Sequence, residues 1–189
     1  MNKSAQLKIL AFLITGYGAL SAPLLYADSS MMPVNSTTQT SSTNDQTLRG
    51  TLIGSLAQYA SKVSIVVTNG VVYLTGQLDS NTDYEKVVTI AESTTGIVDV
   101  NADNLTVKDS PNSLTDIFIT AKVKGSLIKA DVMGKDISAW SVHVETKNGE
   151  VYLSGTVNSQ AEKEHIVSIV QTIQGVTKVI DQVEVVPAD

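Results

Sequence analysis

Asn69-Gly70-Val71-Val72-Tyr73-Leu74-Thr75-Gly76 returns 79 positions later as Asn148-Gly149-Glu150-Val151-Tyr152-Leu153-Ser154-Gly155. In each octamer an Asn-Gly pair precedes a run in which every second residue is apolar. Val63, Ile65 and Val67 alternate with Ser64, Val66 and Thr68 just before Asn69. Alternating runs around Asn-Gly predict a two-residue hairpin of type I′, because both central residues must take positive φ.

Outward from the octamers the correspondence holds. The offset of 79 carries Ser80 onto Ser159, Glu85 onto Glu164, Ile90 onto Ile169, Gly96 onto Gly175 and Val100 onto Val179. One residue is then lost, so that Leu105 meets Val183 and Val107 meets Val185. Upstream, Leu52 and Leu56 match Val123 and Leu127 at an offset of 71, which places eight extra residues between the first helix and first strand of the second copy. Turn glycines, strand alternation and helix stripe recur together, and the chain is an internal duplication.

Each copy reads as helix, hairpin, helix, strand. The first helices are expected over about Thr47–Ala60 and Ser113–Lys129. The latter is amphipathic, with Phe118, Ile119, Val123, Leu127 and Ile128 on or near one stripe; the former is weakened by Gly50 and Gly54, at about 1 kcal/mol each relative to Ala. Ser80-x-x-Asp83 and Ser159-x-x-Glu162 predict capped second helices, which Gly96 and Gly175 are expected to end at C′. Last strands follow over Val98–Val107 and Thr177–Val186. The fold class expected is α+β: two tandem αββαβ modules, each a three-stranded mixed sheet with two helices on one face. The second module holds a complete set of elements and is expected to fold alone.

The start of the chain has an export layout. Lys3 and Lys8 form a basic region, Ile9 to Leu25 is mostly apolar but broken by Thr15, Gly16, Gly18, Ser21 and Pro23, and Ala27 offers a small residue at a cleavage point. This suits a cleavable signal peptide better than a membrane span. Ser, Thr, Asn and Gln then dominate Asp28 to Gln46. The organisation read from sequence is a signal peptide over 1–27, a disordered linker over 28–46, module one over 47–107, a joint over 108–112 containing Pro111, and module two over 113–186. Cysteine is absent, so neither disulfides nor a lipidated Cys is available, and a soluble exported protein is expected. Without Lys3 and Lys8 the 13 basic residues fall to 11 against 19 acidic ones, a charge near −8. That balance argues against nucleic acid as a partner.

Helix, N-G-x-V-x-L-x-G hairpin, capped helix and terminal G-V-x-x-V strand resemble the BON domain, over both copies. Asp116-Ile117-Phe118-Ile119-Thr120-Ala121-Lys122-Val123-Lys124 is similar to the family's D-x-x-I-T-x-K-V-K opening, whereas Leu48-Arg49-Gly50-Thr51-Leu52 keeps the apolar spacing alone. Tandem modules behind a signal peptide, without a lipidated Cys, resemble the soluble osmotically inducible type. The resemblance implies envelope localisation, phospholipid binding and stress tolerance.

Catalytic chemistry finds few candidates. A nucleophilic triad needs Cys or Ser beside a general-base His. Of the two histidines, His143 lies on the open face of a hairpin strand and His165 on a helix beside Glu164, neither with a second ligand at metal spacing. Asp79, Asp83 and Glu85, and likewise Glu162 and Glu164, are helix-start acids, and no phosphate-loop pattern follows Gly70 or Gly76. No catalytic residue, cofactor or metal is expected.

Two surfaces remain. The open sheet face carries Ser64, Val66, Val71, Tyr73 and Thr75 in module one, against His143, Glu145, Glu150, Tyr152 and Ser154 in module two, so the first is the more apolar. Between Ser113 and Ala130, Lys122, Lys124 and Lys129 stand against Asp116 alone, with Phe118 and Ile128 on the same helix and Met133, Ile137 and Trp140 in the loop after it. Two arrangements suit that composition. The lysines and Phe118, Ile128 and Trp140 meet an anionic phospholipid surface, or the lysines are a solvated face and the rings are core. The leading expectation is a periplasmic envelope-maintenance or osmotic-stress protein touching anionic phospholipid through module two, with envelope proteins as further partners. The alternative is a protein-binding adaptor or chaperone-like factor using the apolar sheet face of module one.

Overall fold

Asn-Gly closes both hairpins as its backbone freedom allows: φ is 52° at Asn69 and Asn148, 78° at Gly70 and 77° at Gly149. The elements run α1 (Ser36–Ser55), a 3-10 turn (Ala57–Tyr59), β1 (Val63–Thr68), β2 (Val71–Leu78), α2 (Asn81–Ser93), β3 (Asp99–Val107), α3 (Leu114–Val132), β4 (Val142–Lys147), β5 (Glu150–Val157), α4 (Gln160–Thr172) and β6 (Lys178–Val185). They come from a computed structural model, which describes residues 36–110, 114–132 and 141–186. The signal-peptide segment, Pro111 and Trp140 fall outside the described residues.

Two three-stranded sheets result, ordered β1-β2-β3 and β4-β5-β6. In each the hairpin is antiparallel and the last strand joins the central one in parallel, as a strand-helix-strand crossover requires. The two αββαβ modules and their mixed sheets are those the duplication implies. At Gly76 and Gly155 the central strands run so close to the loop before β1 or β4 that a Cβ would lie 2.0 Å from the carbonyl oxygen of Lys62 or Ser141. Glycine is obligatory there.

Inward residues of each sheet meet the helix stripes. Leu52, Leu56, Val72, Leu74, Val87 and Leu105 build the first core, and Val123, Leu127, Val151, Leu153, Ile166 and Val183 the second. The cores share a helix. Ile119, Val123, Leu127 and Ala130 of α3 face the second, while Ala121, with Leu114, Ile117 and Phe118, packs on the first. The described part of Asn35–Asp189 is one compact unit.

The caps hold: Ser80 Oγ accepts from the Asp83 N–H and Ser159 Oγ from the Glu162 N–H, both at 3.1 Å. Two details correct the sequence reading. The second helices end at Ser93 and Thr172, capped by Thr94 and Ile173, so Gly96 and Gly175 (both φ 94°) lie one residue past C′. At each a Cβ would stand 3.0 Å from a methyl of Leu48 or Ile119, and glycine there admits the first helix. The disordered linker expected over 28–46 also ends early, since α1 starts at Ser36. Ser and Thr are modest helix formers, but Asp45 anchors the segment. Its carboxylate accepts from the Asn69 and Gly70 N–H groups at 2.7 and 2.8 Å. Asp116 does the same for Asn148 and Gly149, at 2.8 and 2.9 Å.

Candidate functional site

The place where chemistry-bearing side chains gather is the seam between modules, where α3 lies along α2. Gly125 sets the approach: a Cβ there would come within 2.5 Å of Glu92 Cβ and 2.9 Å of the Thr89 carbonyl oxygen. Thr89 Oγ1 donates to the Ala121 carbonyl at 3.3 Å. Small residues on α3 thus bring the two helices close enough for side chain to reach backbone.

Each α3 lysine meets a partner in module one. Lys122, buried, pairs with Asp99 of β3 and lies 3.9 Å from Glu92. Its ammonium sits 5.6 Å from the Phe118 ring centre, within cation–π range. Lys124 pairs with Glu85 at 2.6 Å, and Lys129 donates to the Ile97 carbonyl at 2.5 Å. Ser126 Oγ donates to Glu92 at 3.1 Å. Glu92 is thereby a buried carboxylate whose Oε1 accepts from Ser126, while its Oε2 has no hydrogen-bond partner among the described residues and faces the Lys122 ammonium at 3.9 Å. Removing the Lys122 ammonium leaves Glu92 a buried charge with no cation near it among the described residues, a costly arrangement in a protein interior.

Clefts flank the seam on either side. One, of about 280 Å³, is lined by Phe118, Leu114 and Thr115 of α3 with Tyr84, Ala102 and Asp103 of module one. Burial, with Asp103 adding to it, pushes the Tyr84 hydroxyl up to about 12. The other, of about 560 Å³, lies between α2, α3 and β4. Ile90, Leu127, Ile128, Val142 and Val144 give it an apolar wall, and Glu85, Lys86, Lys124 and His143 a polar one.

Residues 44–109 and 116–187 each match the BON domain. The chain belongs to the BON domain family. This BON protein is 33% identical over 121 residues to osmotically-inducible protein Y of Escherichia coli (strain K12), covering 64% of this chain and 60% of that one. It is 28% identical over 122 residues to the 21 kDa hemolysin of Actinobacillus pleuropneumoniae, again over 64% and 60%. The aligned region spans three fifths of the length of both curated relatives. Among solved structures, the C-terminal domain of CdsD, a structural protein of the type III secretion system of Chlamydia trachomatis, aligns at a TM-score of 0.29 with 17% identity, over 76% of this chain and 67% of that one.

Within the BON pair, the residues expected to meet lipid divide. Phe118, Lys122 and Lys129 turn toward module one, and their charges and ring are engaged there. Lys124 and Ile128 line the larger cleft. Trp140 lies outside the described residues. The three α3 lysines are thus partnered within the chain: Glu85, Glu92 and Asp99 face two of them and a backbone carbonyl the third. Asp45 was missed as well, although it stands 71 residues before Asp116, the offset already set by Leu52 and Val123. His143 is exposed on the open sheet face at the cleft rim, and Lys86 projects beside it from α2. Among the described residues no group of three or more His, Asp or Glu could hold a metal ion, and no helix is long and apolar enough to cross a membrane.

Proposed function

We propose that this BON protein is a non-catalytic envelope-maintenance or osmotic-stress protein of the periplasm that meets anionic phospholipid reversibly at the cleft between its modules. The observation that carries the reading is the cleft of about 560 Å³, whose Ile90, Ile128 and Val144 offer an apolar floor while Lys86 stands exposed at the rim. An acyl chain or glycerol backbone suits the floor, and a headgroup phosphate suits the ammonium. Similarity to osmotically-inducible protein Y supports the stress role.

Since Lys124 is paired with Glu85, the contact leans more on apolar burial than on charge. Co-sedimentation with phosphatidylglycerol vesicles, and with phosphatidylcholine vesicles as the neutral arm, tests it. Near an anionic surface each Lys is worth about 1 kcal/mol, so Lys86→Glu should weaken binding about tenfold or more, with the melting temperature unchanged. Equal binding to both vesicle types, or no effect of Lys86→Glu, removes the preference for anionic lipid, and binding to neither removes the lipid reading.

One observation favours a second reading. Val66 and Tyr73 face each other across β1 and β2 and are 52% and 43% exposed, an apolar pair suited to a protein partner. Such a contact should survive high salt, whereas lipid contact through Lys86 should weaken with it.

A further inference from the structure

The seam inside the chain has an open counterpart at each end. At the offset of 71, Ala121, Gly125 and Ser126 of α3 correspond to Gly50, Gly54 and Ser55 of α1. At the offset of 79, Val88, Thr89 and Glu92 of α2 correspond to Val167, Ser168 and Gln171 of α4. In the seam, Ala121 and Gly125 are buried against α2. On α1 a Cβ at Gly50 or Gly54 meets nothing within 4 Å among the described residues, and Ile53 beside them is 44% exposed. On α4, Val167 is half-buried where Val88 is fully buried, and Gln171 is exposed where Glu92 is buried.

Two glycines in a helix cost about 1 kcal/mol each relative to Ala, and nothing around them among the described residues needs their smallness. The same helix position is occupied elsewhere in this very molecule, and what occupies it is a second BON helix. We propose that α1 of one copy docks on α4 of the next, repeating between chains the α3-on-α2 seam found within each chain.

The residues that differ between the two seams differ together. The buried Lys122–Glu92 pair becomes Thr51 opposite Gln171, neutral on both sides. The Thr89 hydroxyl bonded to the Ala121 carbonyl becomes Ser168 opposite Gly50, and Ser126 with Glu92 becomes Ser55 with Gln171. Lys124–Glu85 becomes Ile53 beside Glu164, where the methylenes of the glutamate meet the exposed isoleucine. The grooves are also halved in the matching way. Ile53, Leu56, Val63, Ser64 and Ile65 line a groove of about 310 Å³ beside α1. Glu164, Val167, Ser168 and Gln171 line one of about 210 Å³ on α4. The first set is the counterpart of the α3–β4 wall of the inter-module cleft, while Glu164 and Ser168 match Glu85 and Thr89 of its α2 wall and Val167 and Gln171 match Val88 and Glu92 of the seam, so docking sets a groove wall beside a seam face as within the chain. Because unlike faces meet, the contact is heterologous and leaves a free face at each end of any chain of copies.

Sedimentation velocity of the purified protein, as processed on export, tests this from micromolar to millimolar concentration. The parent should show a sedimentation coefficient that rises with concentration. Gly54→Leu, placed in open space and improving helix propensity, should melt no lower than the parent yet lose the association. Ser168→Arg, at an exposed position of α4, should do likewise. Mixed in equal amounts the two variants should form a one-to-one dimer and nothing larger, since one keeps α4 intact and the other α1. A parent that stays monomeric throughout overturns the proposal, as does unimpaired association of Gly54→Leu. Mixed variants that remain monomers overturn it too, because a head-to-tail contact must be rescued by mixing.

Discussion

Replacing Lys122 by Met removes an ammonium from the seam while nearly keeping the side-chain length. The Lys122 and Glu92 side chains are 11% and 8% exposed; Glu92, whose Oε2 has no hydrogen bond among the described residues, loses the one cation near it, and Asp99 loses its ammonium partner. Breaking a buried pair from one side costs about 3–5 kcal/mol. At about 2–4 °C per kcal/mol for a chain of this size, the melting temperature should fall by about 10 °C. Glu92→Gln keeps shape and the Ser126 contact while discarding the charge, so the double variant should recover most of that loss. Thermal and urea unfolding of parent, singles and double give the coupling energy, expected at about 1.5 kcal/mol or more and opposing the single losses. Circular dichroism and calorimetry should both follow a single transition, since α3 lies in both cores. If Lys122→Met falls within about 0.5 kcal/mol of the parent, or the two changes add, the seam is not held by a buried charge pair and the lysine is free for other work.

Further expectations concern the turns, the glycines and pH. Asp116→Ala and Asp45→Ala each forfeit two charge-assisted hydrogen bonds to a hairpin, costing about 1–2 kcal/mol, and hydrogen exchange should quicken at the amides of Asn148 and Gly149 in the former. Gly155→Ala, with its Cβ 2.0 Å from the Ser141 carbonyl, should cost about 4 kcal/mol or more, whereas Gly54→Ala should stabilise by up to about 1 kcal/mol; unfolding curves decide both. Tyr84, held up at about 12 by burial, stays protonated in the folded state at pH values where the unfolded chain, near 10, has lost its proton. Its contribution is complete below pH 10 and disappears as pH rises through 12, at up to about 1.4 kcal/mol per unit. Tyr84→Phe should flatten that alkaline decline, and denaturant melts between pH 9 and 12 would show it.

The fold was legible because the octamer repeats carry geometry. Asn-Gly fixes the turn, alternation fixes the sheet face, and Gly76 and Gly155 fix the strand approach. Capping serines could be read for the same reason, as their partners lie three residues away. The seam could not be read that way. The net charge of α3 follows from its own residues, but Lys122 finds Asp99 23 residues upstream and Lys124 finds Glu85 39 upstream. Such pairing follows from how modules stack, which no local pattern encodes. Asp45 lay inside a Ser- and Thr-rich stretch whose composition outweighed its place in the repeat. Gly125 gave a readable hint, a glycine within an amphipathic helix, but what it admits is visible once α2 is beside it.

A helix that serves two cores also imposes an order of completion on the growing polypeptide. Residues 36–107 contain every strand and helix of module one, yet the outer flank of α2, including Val88, Ala91 and Glu92, has no cover until α3 has left the ribosome. At synthesis rates of about 5–20 residues per second, that cover arrives seconds later. Until then Glu92 is solvated and the first module is a finished topology with one raw side. The half-made chain is thus slow to become rigid, and the same delay exposes it to proteases.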